Sequence, residues 1–290
     1  MTLVAGDLTT LAVAKGYIDP LPSDPIVAGL VTRISAMIRS TLNRSYLFPR
    51  TYTRQFDGTG TQQLVLPDYP LISLASLTIS GVSLSIAPQL NDSVSAFPPF
   101  GYRFQPWDGL PPGMPAMVEL VGTAFWSGRQ NVVASYTAGY QVTNEARTIS
   151  ATPYQLAPLA PQGSWATDQG VTFAATGVAL TAIVSGTPTT GQYLPPAPDI
   201  SSPRAYYTFA AADTAKGVLL SYGFIPADLE QVALELIAER ASYRRRVGLR
   251  AQSLASQESF TYDDAGISKW AVDDLYHYIS VLPPSVGASV

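Results

Sequence analysis

The chain lacks cysteine altogether and has one histidine, His277, among its 290 residues. The absence of cysteine excludes disulfides, thiol catalysis and cysteine-ligated zinc or iron–sulfur centres. A single histidine excludes a metal centre with several histidine ligands within one subunit. The sequence therefore predicts no bound metal and no cofactor, and many enzyme classes are removed at once.

Charged residues are scarce as well, since they make up 13% of the chain, against about a quarter in a typical soluble protein. With 17 basic and 21 acidic side chains, the formal net charge is -4. Proteins that bind nucleic acid on their own gain affinity by neutralising phosphates with a basic surface. The acidic balance argues against a free-standing nucleic-acid binder, and any contact with DNA is expected to be local.

Long apolar runs and sorting signals are missing too. The longest charge-free stretch, residues 169–198, is interrupted by glycines and by Pro188 and is interleaved with threonine. This pattern is typical of strands and turns rather than of a membrane span. Residues 1–20 lack a basic segment at their start and carry Asp7, which argues against a secretory signal. We expect no contact with a membrane.

Hydrophobic periodicity divides the chain. Residues 1–45 repeat apolar side chains at helical spacing, whereas residues 49–140 and 143–224 have the pattern of strands punctuated by turns. Helical spacing returns after Pro226 and again over residues 264–282. We predict an α+β fold in which the N- and C-terminal segments form a helical bundle, joined to a small antiparallel β-sheet and carrying an inserted all-β domain.

An internal similarity places the domain boundary. Residues 132–140, VVASYTAGY, are similar to residues 218–224, VLLSYGF, and the second copy runs directly into the following helix. The block between the two copies has the character of an insertion. We therefore predict a core domain made of residues 1–142 and 223–290, interrupted by a β-rich domain of residues 143–222.

Candidates for catalysis are few. His277 lies on the last predicted helix with Asp273 four residues before it, but no Gly-x-Ser-x-Gly nucleophile motif accompanies the pair. The acidic pairs 263–264 and 273–274 lack the alternating spacing of a calcium loop. We interpret His277 as a surface or capping residue and the acidic pairs as helix caps or a solvated face, and we predict no enzymatic activity.

Basic residues, in contrast, are concentrated at one place. The helix that begins at Pro226 carries glutamates in its earlier turns and ends in a run of arginines. The helix dipole favours cations near a C-terminus, but it does not require three in a row. Two interpretations stay open: a solvated helix end with ion pairs, or docking against an acidic partner or phosphates through bidentate contacts. The arginines are Arg240, Arg244, Arg245, Arg246 and Arg250.

Four sequence motifs occur in an order that carries a family resemblance. They are LVLPDYPLI at residues 64–72, VVASYTAGY at 132–140, IPADL at 225–229 and YRRRVG at 243–248. In this order they resemble the head-to-tail connector, or adaptor, proteins of tailed bacteriophages. Usual members of that family pass from the second motif into the third almost directly, so residues 143–224 depart from the pattern.

The resemblance implies a structural protein of the virion neck, located at the head–tail junction and assembled in the host cytoplasm. Such proteins form a homo-oligomeric ring, typically a dodecamer, that binds below the portal protein. The ring extends the channel for DNA ejection and offers an attachment face to the next neck or tail protein, a stopper or terminator. Double-stranded DNA passes through the channel without sequence-specific binding.

The low charge agrees with such an assembly, because each subunit of a ring hides two lateral faces and the cores of obligate interfaces avoid charge. The resemblance implies that the arginines after the Pro226 helix dock to the portal or to another partner. It also implies that apolar helix residues pack in the ring wall. These residues are Ile26, Leu30, Ile34, Ile38, Leu229, Val232 and Leu236.

Two other functions remain open. The first is a tail-terminator or stopper protein of the same particle, which differs from an adaptor in copy number and in binding the tail tube or the portal. The second is a carbohydrate-binding β protein of the tail, because four tryptophans and 16 tyrosines offer rings that can stack on sugars. The four tryptophans lie on different predicted elements, which argues against a single sugar platform.

Overall fold

A computed structural model gives the fold and describes most of the chain. The described residues are 6–18, 22–44, 46–86, 100–105, 117–160, 162–196, 206–243, 251–254, 258–261 and 275–279. Among them, strands account for 42% and helices for 23%, so the fold is mainly β. The chain divides into two compact units: the first is Met1–Ser45 with Val142–His277, and the second is Tyr46–Gln141 with Tyr278–Val290.

Three helices belong to the first unit: α1 Leu11–Tyr17, α2 Asp24–Thr41 and α3 Ala227–Tyr243. Their positions agree with the helical periodicity of residues 1–45 and of the stretch after Pro226. α2 packs against α3, and α1 contacts both. The predicted last helix, residues 264–282, lies mostly outside the described residues, which include there a short 3-10 turn at Tyr276–Tyr278.

The second unit consists of two antiparallel sheets. Its strands are β1 Arg50–Gly58, β2 Gln63–Val65, β3 Leu71–Ile79, β4 Val82–Leu84, β5 Gly101–Gln105, β6 Met117–Val121 and β7 Gly128–Ala138. The strand orders are β1-β7-β3-β4 and β2-β6-β5. Alternate residues of β7 and β6 point into one core, where Val132, Tyr136 and Val118 are fully buried. The two-residue period of these strands therefore reflects one buried and one outer face.

A three-stranded sheet, a four-stranded sheet and a two-stranded hairpin complete the described strands of the first unit. The strands are β8 Gln141–Thr148, β9 Gln155–Leu156, β10 Gly163–Phe173, β11 Thr181–Ala182, β12 Gln192–Leu194, β13 Tyr207–Phe209, β14 Gly217–Pro226, β15 Ala251–Leu254 and β16 Glu258–Thr261. The sheet orders are β10-β14-β8 and β11-β12-β13-β9, with β11 and β12 parallel, and β15 pairs with β16. α3 contacts β10 and β14, so helix and sheet share a core.

The prediction of a fold dominated by a helical bundle is wrong. The described part of the chain has three α-helices and five sheets, four of them antiparallel. α3 contacts α1 and α2 but also β10 and β14, so its apolar residues serve a helix-on-sheet layer. A helical period shows that a helix buries a face but does not show whether a helix or a sheet covers that face.

The division into units differs from the predicted domains. Residues 143–222, predicted as an insertion, lie in the first unit together with α3. β14 begins inside that predicted insertion and continues through Pro226 directly into α3. β10 pairs with β14 from Gly163 opposite Pro226 to Phe173 opposite Val218. Strand pairing therefore ties the residues of the predicted insertion to α3.

Candidate functional site

The helical layer of the first unit is held together around α3. Glu230, in the first turn of α3, is buried and accepts a hydrogen bond from the Thr9 hydroxyl, with 2.9 Å between Thr9 Oγ1 and Glu230 Oε1. Its other oxygen accepts a short hydrogen bond from the Ser164 hydroxyl on β10. The Glu230 carboxylate therefore joins the N-terminal segment, α3 and the sheet.

A second contact joins the N-terminal segment to α3. The Tyr17 hydroxyl, at the end of α1, donates a hydrogen bond to Gln231 Oε1 at 2.9 Å. The amide of Gln231 donates in turn to Glu235 Oε1 at 2.6 Å, one turn further along α3. Residues more than two hundred positions apart in the chain therefore form one helical layer.

The structure separates the predicted ring-wall residues into two groups. On α3, Leu229, Val232 and Leu236 are buried, and on α2, Ile34 and Ile38 are buried. These five belong to the core of the first unit, so a neighbouring subunit cannot contact their side chains directly. Ile26 and Leu30 remain half-buried.

The two half-buried residues belong to a stripe on α2. Ile26, Leu30 and Met37 recur at helical spacing and are half-buried, and Arg33 beside them is exposed. At the start of the helix, Asp24 forms an ion pair with Lys15 at 2.7 Å. The stripe is therefore mainly apolar, and its half-exposed surface could be buried by contact with a neighbouring subunit.

Of the predicted docking arginines, the structure describes Arg240, which is half-buried near the end of α3. Arg244, Arg245, Arg246 and Arg250 lie outside the described residues. α3 ends at Tyr243, so the run of three arginines follows it directly in the sequence. Asp228 and Glu230 occupy the first turn, which completes the acidic-to-basic order expected along a helix dipole.

The structure brings none of the candidate catalytic or metal-binding residues together within its described ranges. His277 lies in the turn Tyr276–Tyr278, and Asp273 and the acidic pair 263–264 fall outside the described residues. In the described ranges, no group of three or more His, Cys, Asp or Glu could hold a metal ion. No helix within those ranges is long and apolar enough to cross a membrane.

Sequence reasoning missed a cluster around Asp68, which lies between β2 and β3. Arg54 on β1 donates to this carboxylate from two of its three guanidinium nitrogens, Nε to Oδ2 at 2.5 Å and Nη2 to Oδ1 at 2.8 Å. The buried Tyr136 hydroxyl on β7 donates to Oδ2 at 2.5 Å. The hydrogen bond to Asp68 raises the pKa of Arg54, and burial followed by Asp68 raises the pKa of Tyr136.

A similar cluster surrounds Asp168 on β10. The Tyr193 hydroxyl donates to Oδ2 at 2.6 Å, and the Tyr207 hydroxyl donates to Oδ1 at 3.1 Å. Trp165 Nε1 donates to the Tyr207 oxygen at 3.1 Å. Burial raises the pKa of both tyrosines, and Asp168 raises it further. Phe209 stacks on both rings, so the carboxylate is bonded inside an aromatic core.

A third tyrosine–carboxylate contact lies at the edge of the same sheet. The Tyr222 hydroxyl on β14 donates to Glu145 Oε2 on β8 at 2.5 Å, and the amide of Leu159 donates to Oε1 at 2.8 Å. Burial and then Glu145 raise the pKa of Tyr222. In all three clusters the tyrosines stay protonated near neutral pH and act as hydrogen-bond donors. This arrangement stabilises the sheets and offers no activated nucleophile.

Comparison of the sequence with models of protein families gives no match, and comparison with curated proteins gives no significant match. The assignment of a function therefore rests on the motifs and the geometry of this chain.

Proposed function

We propose that this protein is a structural adaptor of the bacteriophage neck, without a catalytic role. It forms a homo-oligomeric ring that binds below the portal protein, extends the DNA channel and receives the next neck or tail protein. The order of the four sequence motifs supports this assignment.

The observation that carries the proposal is the joining of the chain's N-terminal helices to α3. α2 packs against α3, and Thr9 and Tyr17 donate hydrogen bonds to side chains of its first two turns. A ring wall needs a helical layer whose parts are fixed within each subunit before neighbours associate. The buried residues of α2 and α3 supply that layer.

The lateral contact of the ring is assigned to the half-buried stripe of α2. Head-to-tail contacts around a closed rotation axis require two different complementary patches on each subunit, and the cores of lasting interfaces are apolar. Ile26, Leu30 and Met37 provide one such patch. Arg33 at its margin is the exposed charge of the stripe.

The weakly acidic chain suits a conduit for DNA. Each arginine that grips a phosphate adds a salt-dependent attraction, which would resist the sliding of DNA through a channel. A net charge of -4 with 13% charged residues favours passage over binding. We assign the arginines after α3 to the portal contact, so the channel needs none of them.

The proposal is tested by mixing purified protein with a portal protein from the same particle. The wild type should form annular complexes with the portal in electron micrographs. Leu30→Arg, which places a charge in the α2 stripe, should abolish the rings while leaving the circular dichroism spectrum unchanged.

The matched control is Ala36→Arg, which adds the same charge at an exposed position of the same helix and should leave ring formation intact. If Leu30→Arg forms rings as well as the wild type, the α2 stripe is not the lateral contact of the ring. No portal complex with the wild type, or binding to a tail tube instead, would favour a stopper or terminator over an adaptor.

A carbohydrate-binding protein of the tail is the second candidate, and one observation favours it. Trp126 is 55% exposed in a turn of the second unit that is braced by Asn131, whose amide donates to the Trp126 carbonyl at 2.8 Å. An exposed aromatic ring on a braced backbone can stack on a sugar. Binding to a glycan array that is lost in Trp126→Ala would support this candidate.

A further inference from the structure

Strand β1 is the edge strand of the four-stranded sheet among the described residues of the second unit. It has nine residues and pairs with β7 on one side, and the described part of the chain places no strand on its other side. β1 contains no proline or lysine, and its register shifts only after Phe56. Native edge strands are usually shortened, bulged or protected by such residues, because an open edge is a template for another strand.

The direction of the backbone groups in β1 follows from its neighbour. β7 bonds toward the β3 side through the carbonyl of Asn131 and the amide of Gly139, so its odd-numbered residues face β3 and its even-numbered residues face β1. Ala134 is paired with Arg54, so the even-numbered residues of β1 bond to β7. The residues whose N–H and C=O point away from the sheet are Thr51, Thr53 and Gln55, all three exposed.

We propose that β1 pairs with β1 of a second copy of this chain, antiparallel and about a two-fold axis at Thr53. In this register, Thr51 and Gln55 lie opposite each other, and Thr53 lies opposite its own copy. All three have outward-pointing backbone groups, so the two strands exchange about six backbone hydrogen bonds, two for each pair. The four-stranded sheet then continues into that of the second copy.

The side chains of β1 favour its own copy as the partner. About an axis at Thr53, Arg54 lies opposite Tyr52, and Arg50 lies opposite Phe56, so no arginine faces an arginine. Like charges directly opposite each other destabilise a strand pair, whereas a guanidinium beside an aromatic ring is attracted to it. β1 already shows the second preference, since the Arg54 guanidinium lies 5.3 Å from the centre of the Tyr52 ring.

The outer face of the sheet is compatible with the same pairing. Within one chain, Thr51 and Thr53 face Thr137 and Ser135 of β7, with 3.3 Å between the hydroxyl oxygens in each pair. A Thr53 pair across the axis would extend this row of uncharged hydroxyl contacts. From Thr51 to Gln55 this face carries no charged side chain, because Arg54 belongs to the other one, and Asp57 lies beyond the three paired positions.

This pairing is independent of the proposed ring. It uses β1 of the second unit, whereas the ring proposal rests on the helices of the first. A two-fold contact cannot relate neighbours around a single rotation axis in one ring. The pairing therefore concerns the free subunit, and its failure would leave the ring proposal standing.

Sedimentation of the purified full-length chain tests the pairing. The wild type should be a dimer in the micromolar range. Thr53→Pro removes an N–H that β7 does not use and should raise the dimer dissociation constant at least about tenfold, because both copies lose a hydrogen bond at the axis. Thr53→Val keeps the N–H and the shape of the side chain, and should change the constant by less than about threefold.

A second measurement tests the register and does not depend on the proline variant folding. The chain has no cysteine, so a single introduced thiol reports only on its own copy. Thr53→Cys should oxidise to a disulfide-linked dimer. The two Cα atoms of a hydrogen-bonded antiparallel pair are about 5.5 Å apart, a separation that a disulfide can span. Gln55→Cys should not link to itself but should link to Thr51→Cys in a mixture.

Four results would overturn the proposal. The first is a wild type that stays monomeric at about 100 µM, a concentration at which even weak protein pairs associate. The second is an equal loss of association in Thr53→Val and Thr53→Pro. The third is equal cross-linking of Thr53→Cys and Gln55→Cys with themselves. Association with an unrelated extended peptide but not with a second copy would also contradict it.

Discussion

At the scale of single residues, the Asp68 carboxylate joins three parts of the second unit through its hydrogen bonds. It lies between β2 of one sheet and β3 of the other and binds Arg54 and Tyr136, on β1 and β7. The Arg54 side chain is 44% exposed, so solvent screening weakens its contribution. The buried Tyr136 hydroxyl has no such screening and is the more important donor.

Replacing Asp68 should therefore destabilise the protein mainly through Tyr136. In Asp68→Ala the buried hydroxyl loses its acceptor, and we expect the free energy of unfolding to fall by about 1–3 kcal/mol. Urea denaturation measures this fall.

The Asp68 prediction is checked by a double-mutant cycle. Tyr136→Phe removes the same hydrogen bond from the other side, so the double variant should lose less stability than the sum of the two single losses. Additive losses would mean that the two side chains act separately.

Four buried tyrosines should make the protein less stable at alkaline pH. Burial raises the pKa of Tyr136, Tyr193, Tyr207 and Tyr222 above the ordinary value near 10. Above that pH the unfolded chain loses protons that the folded chain keeps. The contribution of these tyrosines to the free energy of unfolding should therefore be constant up to about pH 9 and fall steeply above about pH 10.

Urea denaturation across this range, followed by tyrosinate absorbance, tests the pH dependence. Tyr136→Phe should reduce the slope above pH 10, and Tyr276→Phe, at a residue that is 72% exposed, should leave it unchanged. A free energy of unfolding that stays flat to about pH 11 would contradict the role given to the buried tyrosines.

At the scale of elements, the positions of the helices were easier to predict from sequence than the pairing of the strands. The stripes of α2 and α3 follow from local spacing, and both helices lie where that spacing indicates. The pairing of β10 with β14 joins Gly163 to Pro226, and no local pattern specifies such a contact. The tyrosine–carboxylate clusters were missed for the same reason, because Tyr136 and Asp68 are 68 positions apart and meet only through strand pairing.

The segment after α3 carries the second element-scale prediction. Replacing Arg244, Arg245 and Arg246 by alanine should leave the thermal unfolding temperature unchanged and weaken attachment to the portal protein at least about tenfold, since bidentate charged contacts are lost. Co-sedimentation with the portal measures the attachment.

The matched control for the arginine triplet is Arg129→Ala, at an exposed arginine of β7 in the second unit. It should leave portal attachment close to that of the wild type. Unaltered attachment of the triple variant would assign the arginines to a solvated helix end, the other interpretation of their sequence.

At the scale of the whole molecule, the expectation of a helical bundle failed because helices and sheets can cover the same apolar stripe. α3 is covered by α1 and α2 and also by β10 and β14. The periodicity of its sequence does not show whether helices or strands cover its apolar residues. The N-terminal helices do contact α3, but in a layer that α3 shares with β10 and β14. That layer, with its half-buried stripe on α2, is the basis of the proposed ring.

Native mass spectrometry of the chain mixed with its portal protein tests the central claim most directly. We predict one complex in which about twelve copies of this chain are bound to each portal as a closed ring, the copy number that the resemblance to connector proteins implies. A mixture in which the chain stays separate from the portal, or binds it without forming a closed multiple, would contradict the account.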